Sequence, residues 1–394
     1  MDRVPSIARP DWQKAVESQG LHYHSADGRP YWDESAHYRF TRREVDDLER
    51  ATYALDEMCL QAVEYVIREN LFEQFQVPPQ FVDYVKLSWE RDEVTVYGRF
   101  DFAYDGRSPP KLLEYNADTP TALLEAAVVQ WFWFQDQYPR LDQFNSIHER
   151  LIEAWRTVGQ FMAANPAPAS SAPIRPAPPP EMVFFTALGG HLEDYMTANY
   201  LRDTAMQAGL VTHYLDVEAV GWNAGRRRFV DEKERALGWC FKLYPWEWMV
   251  RECFAAHLLE ARDATRWLEP PWKMILSNKA ILPVLYDLFP DSPYLLPASL
   301  EPLDGPHVRK PLLGREGSNV RVVGEGGQLR AETGGDYEGP YVYQRLHPLP
   351  SFGGRHPVVG SWMVNGYACG IGVREDATPI TGNASRFVPH VFTG

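Results

Sequence analysis

Two short runs carry oxygen and nitrogen donors at strand spacing. They are Gly98-Arg99-Phe100-Asp101-Phe102 and, beyond the turn signal Asp105-Gly106, Leu113-Glu114-Tyr115-Asn116-Ala117-Asp118. Residues two apart in a strand share a face. Arg99 and Asp101 therefore project together, as do Glu114 and Asn116. If the runs pair, one guanidinium, two carboxylates and one amide converge. Two carboxylates and an amide oxygen suit Mg2+, a hard cation that shares its shell with substrate phosphates. An adjacent arginine suits charge developing on a transferring phosphoryl group. That is the outline of an ATP-using site without a P-loop. A solvated sheet face with charges paired across strands gives the same alternation. Asp118, Thr119 and Thr121 at the strand end favour a site. So do Phe100, Phe102, Leu113 and Tyr115, which place an apolar face behind the polar one.

A second constellation lies some 200 residues on. Lys310 opens a strand that runs into Gly314-Arg315-Glu316-Gly317-Ser318. Glycines let backbone amides approach phosphate oxygens, and such a loop can close as a lid. The loop does not fit GxxxxGK[ST], which excludes a P-loop kinase. Most glycine loops are simple turns, but this one has context. Lys279 lies upstream and Tyr343-Gln344-Arg345 lies on a later strand. Lysines on a sheet, beside a backbone edge able to read adenine, describe a nucleotide cleft between two β-rich lobes. Arg374, at the end of the last hairpin, is placed to reach the same cleft. HExxH, GxSxG, GxGxxG and CxxC are all missing from the chain,. The eleven histidines are scattered; His22 and His24 read as surface.

These residues need positioning elements. Thr41-Arg42-Arg43-Glu44 is a capping box. Val45, Leu48, Leu55, Cys59, Ala62 and Val66 then recur at helical spacing,, predicting a scaffold helix over 42–69. Further helices are expected over 122–137, with Trp131-Phe132-Trp133-Phe134 in the core, and over 143–162. Residues 163–180 are a Pro/Ala linker,. Beyond it a βαβ unit is expected: strand 182–188, helix 191–208, strand 210–215. Glu193 and Asp194 fall in the first turn of its helix, near where ligands gather; complementing the helix dipole is the plainer account. A strand over 238–244, a helix over 248–259, a strand over 272–276 and a helix over 279–288 complete the middle. From 308 the pattern turns antiparallel, with Asn365-Gly366 as a hairpin turn,. Mixed α+β and α/β architecture follows. The expected lobes are 1–165 with the metal-site hairpin, 166–270 as a βαβ substrate region, and 271–394 with the glycine-loop lid, forming one catalytic unit.

The chain has 394 residues, 39 basic against 53 acidic, for a net charge of −14. That excludes a nucleic-acid groove as its main business and is compatible with a cationic partner such as an amine. Cys59, Cys240, Cys253 and Cys369 lie at no metal or redox spacing,. Free thiols, no apolar leader and no membrane-length run predict a cytoplasmic protein with no membrane partner.

The blocks GRFDF…LEYNADTPT, FKLYPWEWM, ILSNKAILP, KPLLGREGSNV, YVYQRLHPLP and GSWMVNGYACGIGVRED together resemble the synthetase domain of glutathionylspermidine synthase. They resemble more closely its stand-alone bacterial relatives of the acid–amine ligase type. The resemblance runs in order from about residue 10 to the end. It implies an ATP-grasp fold with a pre-ATP-grasp-like lobe. It also implies an ATP-dependent amide-forming ligase with two Mg2+ ions. On that resemblance Arg99 assists at the acyl phosphate and Asp101, Glu114 and Asn116 hold metal. Lys279, Lys310, Gln344 and Arg374 contact ATP, while Gly314, Arg315, Gly317 and Ser318 form the lid. Thr119, Thr121, Glu193 and Asp194 meet substrate. The family's serines after its EYNAD block are Thr119 and Thr121 here, and its paired acids are Glu193-Asp194. The bifunctional enzyme's amidase domain has no counterpart. Expected partners are a small or peptide carboxylate and an amine, with glutathione-like and polyamine-like molecules as examples. An ATP-grasp kinase that stops at phosphorylation, and a nucleotide-binding protein without catalysis, are the alternatives. Arg99→Ala is expected to abolish turnover and leave the fold intact.

Overall fold

The structure, a computed structural model, describes residues 1–26, 28–165, 182–383 and 385–394. The Pro/Ala linker thus falls, from residue 166 on, outside the described residues.

The scaffold helix is Arg42–Arg68. Its capping box is complete: the Thr41 hydroxyl accepts from the Glu44 amide, and the Glu44 carboxylate accepts from the Thr41 amide. Its apolar stripe is buried against the sheets, and Thr52 shares a hydrogen bond of 2.7 Å with Ser361 on the sheet behind it.

Three sheets build the rest of the frame. The central one is antiparallel, in the order Arg386–Val388, Tyr367–Asp376, His356–Val364, Tyr97–Ala103, Lys111–Asn116. It joins the opening hairpin to the last one, 240 or more residues away in sequence, so that the final hairpin leaves the lid strands that precede it. Asn365 and Gly366 turn that hairpin with φ of 48° and 77°, the type I′ signature. Gly360 lies opposite Asp101. A Cβ there would sit 2.7 Å from Arg99 Cδ, so only glycine lets Arg99 lie across the strand.

A second sheet is parallel, in the order Arg266–Leu268, Trp239–Leu243, Met182–Ala187, Val211–Asp216. Helix Leu192–Gln207 is its expected crossover. The third, the lid sheet, is antiparallel: Ala298–Ser299, Tyr341–Arg345, His307–Pro311, Arg321–Val323, Leu329–Glu332.

Several expectations are corrected. The run 272–276 is not a strand but helix Lys273–Ser277. Short apolar runs do not discriminate strand from helix; here Pro270-Pro271 open the turn and Lys273 pairs with Glu269 at 2.7 Å. The helix expected over 248–259 divides into Trp246–Met249 and Ala255–Glu260. Helix 143–162 starts at Ile147, because Asp142 and Asn145 bridge to Phe392 and Gly370 instead. Trp133 and Phe134 are core, but Trp131 and Phe132 are exposed. No described helix is long and apolar enough to cross a membrane.

Candidate active site

The opening runs pair as expected, Arg99 opposite Asn116 and Asp101 opposite Glu114. The apolar face forms behind them, with Phe100 stacked on Tyr115 at 3.8 Å between ring centroids. Leu113 is the exception. A bulge between Asp101 and Phe102 shifts the register, so that Phe102 pairs with Leu112. Leu113 is the extra residue and faces the cleft.

Arg99 is almost fully buried. Its Nε and Nη2 donate to the two oxygens of Asp101 at 2.6 and 3.0 Å, and its Nη1 to the Thr121 carbonyl at 2.6 Å. Burial works against that charge, but Asp101 overrides it and raises the guanidinium's proton affinity. Asn116 Nδ2 stands 3.2 Å from Asp101 Oδ2 and 3.5 Å from Glu114 Oε1. Three oxygen-bearing heads thus close on one point. Arg374 approaches the same Asp101 oxygen at 3.9 Å.

The lysines are not on two strands of one sheet: Lys310 is on lid strand His307–Pro311, whereas Lys279 lies between helices Lys273–Ser277 and Ile281–Leu288. Lys279 Nζ is 3.1 Å from Glu114 Oε2 and donates to the Gly314 carbonyl at 2.6 Å. Lys310 Nζ donates to Gln344 Oε1 and to the Leu113 carbonyl, each at 2.9 Å. Burial pushes Lys310 down to about 8, against the pull of Glu114. Burial would raise the Glu114 carboxyl, but Lys279 and then Lys310 hold it down at about 2.

Arg315 on the glycine loop donates to the Thr119 hydroxyl at 2.8 Å and lies 3.6 Å from Glu247. Glu193 and Asp194 also line the cavity. Burial first, then the charge of Glu125, raises Glu193 to about 7. Asp194 is raised mainly by burial. All sixteen residues expected at the site line one cavity of about 550 Å3.

Sequence reasoning missed part of it. Lys242, fully buried, donates to Asp118 at 2.6 Å, and Asp118 accepts also from the Trp246 amide at 3.0 Å. This pair ties the hairpin's end to the parallel sheet and carries Glu247 and Trp248 to the cavity wall. Its signal was a lone charge inside the apolar run Trp239–Leu243. The bulge carbonyl of Leu113 had no signal in residue type.

Among the described residues no three His, Cys, Asp or Glu side chains form a metal group. Here the third head is an amide, which presents oxygen after a half-turn. One ionised carboxylate held down by lysines, a second beside it and an amide oxygen are a hard-donor set that Mg2+ accepts. The residues fit the ion, with Arg99 as the present counter-ion of Asp101.

Comparison with known proteins shows the family. The family model described as glutathionylspermidine synthase preATP-grasp matches residues 3–393. A Haemophilus influenzae protein named "Putative acid–amine ligase" is 40% identical over the whole of both chains. A trypanothione synthetase of Crithidia fasciculata is 29% identical over 79% of this chain and 50% of its own length. The bifunctional glutathionylspermidine synthetase/amidase of Escherichia coli is 28% identical over 90% of this chain and 58% of its own. The chain therefore spans about half the length of these two larger relatives. In fold it is similar to a glutathione synthetase-like effector from Globodera pallida, with TM-score 0.56 at 9% identity, covering 98% of this chain and 100% of that one. The chain belongs to the glutathionylspermidine synthase family of ATP-grasp carbon–nitrogen ligases.

Proposed function

We propose that this protein joins a small carboxylic acid to an amine through an acyl phosphate, releasing ADP and phosphate. One observation carries the reading: a single cavity is lined by Arg99, Lys279, Lys310 and Arg315, from three separate parts of the chain, and also by Glu193 and Asp194. The cations suit a phosphoryl group and the acid pair suits an ammonium.

Lys279, Lys310 and Arg374 bind nucleotide phosphates, and Gln344 braces Lys310. Asp101, Glu114 and Asn116 would hold Mg2+, which supplies charge neutralisation at the phosphates. Arg99 stabilises the transferring phosphoryl group and then the tetrahedral oxyanion. Arg315, held over Thr119, closes water out. Thr121 positions the acid, and Glu193 and Asp194 receive the amine. Positioning and charge stabilisation supply most of the rate in such chemistry. The larger relatives are named for glutathionylspermidine and trypanothione, which makes a glutathione-like acid and a polyamine-like amine the first pair to try.

The test is ADP release against a panel of peptides crossed with amines, products read by mass spectrometry. An amide formed with stoichiometric ADP is the expected result. A phosphorylated acid with no amide in any pairing overturns it in favour of a kinase.

A further inference from the structure

Arg99 has a seat that the reading above leaves unexplained. Tyr97, Arg99 and Asp101 share a face of their strand, and on the neighbouring strand Trp362 stands opposite Arg99. The centroid of the Trp362 ring lies 5.7 Å from Arg99 Cζ. The same ring stacks on Tyr97, with centroids 6.1 Å apart and planes within 1° of parallel. Trp362 is buried, yet its indole N–H has no hydrogen-bond partner among the described residues. A buried tryptophan usually pairs that group, and leaving it unpaired is costly. The ring is thus set for its face, which attracts a guanidinium, at the expense of its donor.

The backbone that holds Arg99 is strained. Arg99 Nη1 donates to the Thr121 carbonyl at 2.6 Å. Ala122, the next residue, has φ of 60°, a left-handed conformation unfavourable for any residue with a Cβ. Its own carbonyl accepts from the Ala126 amide at 3.3 Å, and a π-helical turn, Glu125–Val129, follows. Left-handed residues other than glycine and single π-turns both gather at functional sites. The sheet beside Arg99 is bare: Gly360 and Gly372 stand opposite each other, and a Cβ on Gly360 would collide with the arginine. A cavity of about 10 Å3, lined in part by Arg99, Ala122, Gly360, Trp362 and Phe387, admits one water at most. The guanidinium has no second position there.

We infer that Trp362 and Ala122 are positioning residues for Arg99: the indole face and the strained Thr121–Ala122 backbone fix the guanidinium so that its fork is aimed before substrate arrives. Neither residue lines the main cavity, so neither touches the reacting atoms. The inference rests on the ligase reading, in which Arg99 stabilises the transferring phosphoryl group. A donor helps a transition state most when it is already in place. Asp101 grips two of the three nitrogens, but it has a second proposed duty at the metal, so that grip is shared. Trp362 and the Thr121 carbonyl hold the guanidinium independently of the carboxylate.

The experiment compares wild type, Trp362→Phe, Trp362→Leu and Ala122→Gly, each also in an Arg99→Lys background. Arginine-selective NMR spectra follow the Arg99 Nε–H proton, assigned by its loss in Arg99→Lys. ADP release with the acid and amine gives kcat and the KM for ATP. In wild type that proton should exchange slowly with water and carry a shift from the indole ring current. Trp362→Phe keeps an aromatic face and should hold kcat within about threefold of wild type. Trp362→Leu should speed the exchange and lower kcat, each about tenfold, the scale of a desolvated cation–π contact, with the KM for ATP unchanged. Ala122→Gly relieves the strain, so its thermal midpoint should stay close to wild type. Its proton exchange should still rise and its kcat fall about fivefold, because the carbonyl is less firmly aimed. That variant carries the test where Trp362→Leu does not fold. In the Arg99→Lys background each substitution should cost less than about twofold, since no fork remains to position. Equal losses in both backgrounds, or exchange unmoved in Trp362→Leu and Ala122→Gly alike, show a merely structural role and overturn the inference. Spectra that behave as described in a protein that joins no acid to any amine overturn the ligase reading alone and leave the positioning of Arg99 standing.

Discussion

Lys310 donates its ammonium to the backbone carbonyl of Leu113 at 2.9 Å. Leu113 is the extra residue of the bulge in the opening hairpin, on the edge strand of the central sheet. Edge strands leave half of their carbonyls unpaired, and the lid sheet uses two of them: Gln344 takes the carbonyl of Leu112 at 2.9 Å while bracing Lys310. The two halves of the cleft are therefore stitched through main chain, beside the residues proposed to hold phosphate.

Burial of Lys310 beside this contact makes the proposed nucleotide binding pH-dependent. Burial lowers Lys310 to about 8, so its charge is lost as pH rises through that value, well below the usual lysine range. For the free enzyme, kcat/KM for ATP should fall above about pH 8 with a slope approaching tenfold per unit. Lys310→Arg keeps its charge at every accessible pH. It should bind ATP more weakly at neutrality but lose that alkaline limb, as steady-state profiles will show.

Arg99 is a less innocent target than its sequence suggests. Arg99→Ala would leave Asp101 buried without its two-pronged partner, and breaking a buried pair costs about 3–5 kcal/mol. Loss of rate would then be mixed with loss of fold. Arg99→Lys retains charge while losing the fork. It should lower kcat by roughly a hundred- to a thousandfold, the scale for one transition-state donor, with the circular dichroism spectrum intact.

The lid is testable at one glycine. Gly317 has φ of 67°, and a Cβ on it would sit 2.4 Å from the Thr381 carbonyl oxygen. Gly317→Ala should push the loop off the 379–383 segment. The left-handed conformation alone costs about 1–2 kcal/mol. Hydrogen exchange in residues 312–319 should rise, ATP should no longer suppress it, and kcat should fall roughly tenfold with little change in thermal midpoint.

Lys242→Met tests the tie between hairpin and parallel sheet. It strands the Asp118 carboxylate in the interior with only the Trp246 amide for company. Destabilisation of about 3–5 kcal/mol is expected, read as a lower urea midpoint with unchanged m-value. Lys242→Met, Asp118→Leu together should recover part of it, since an apolar pair avoids the uncompensated charge.

Much of the site was legible because its information is local. Period-two alternation placed Arg99 with Asp101 and Glu114 with Asn116. A capping box marked the scaffold helix, and Asn365-Gly366 marked the last hairpin. Each depends on a few neighbouring residues. The failures were equally specific. Leu113 was assigned to the apolar face because a bulge, which slips the register, leaves no mark in residue type. The run 272–276 fits either period, since it holds only four apolar positions and a lysine,. The last hairpin was grouped with the lid strands because adjacency in sequence was the only guide to sheet membership.

The chemistry on offer, then, was set by the sequence alone. Its carboxylates, amide, arginines, lysines and glycine loop, with their spacings, admit phosphoryl transfer and exclude the common alternatives. The tertiary structure decided which of them meet. Lys279 reaches Glu114, Lys310 reaches Leu113, and Arg315 reaches Thr119 only because distant parts of the chain close on the opening hairpin. Such contacts join residues far apart in the chain, and the burial that shifts their charges exists only once the cleft has closed around them.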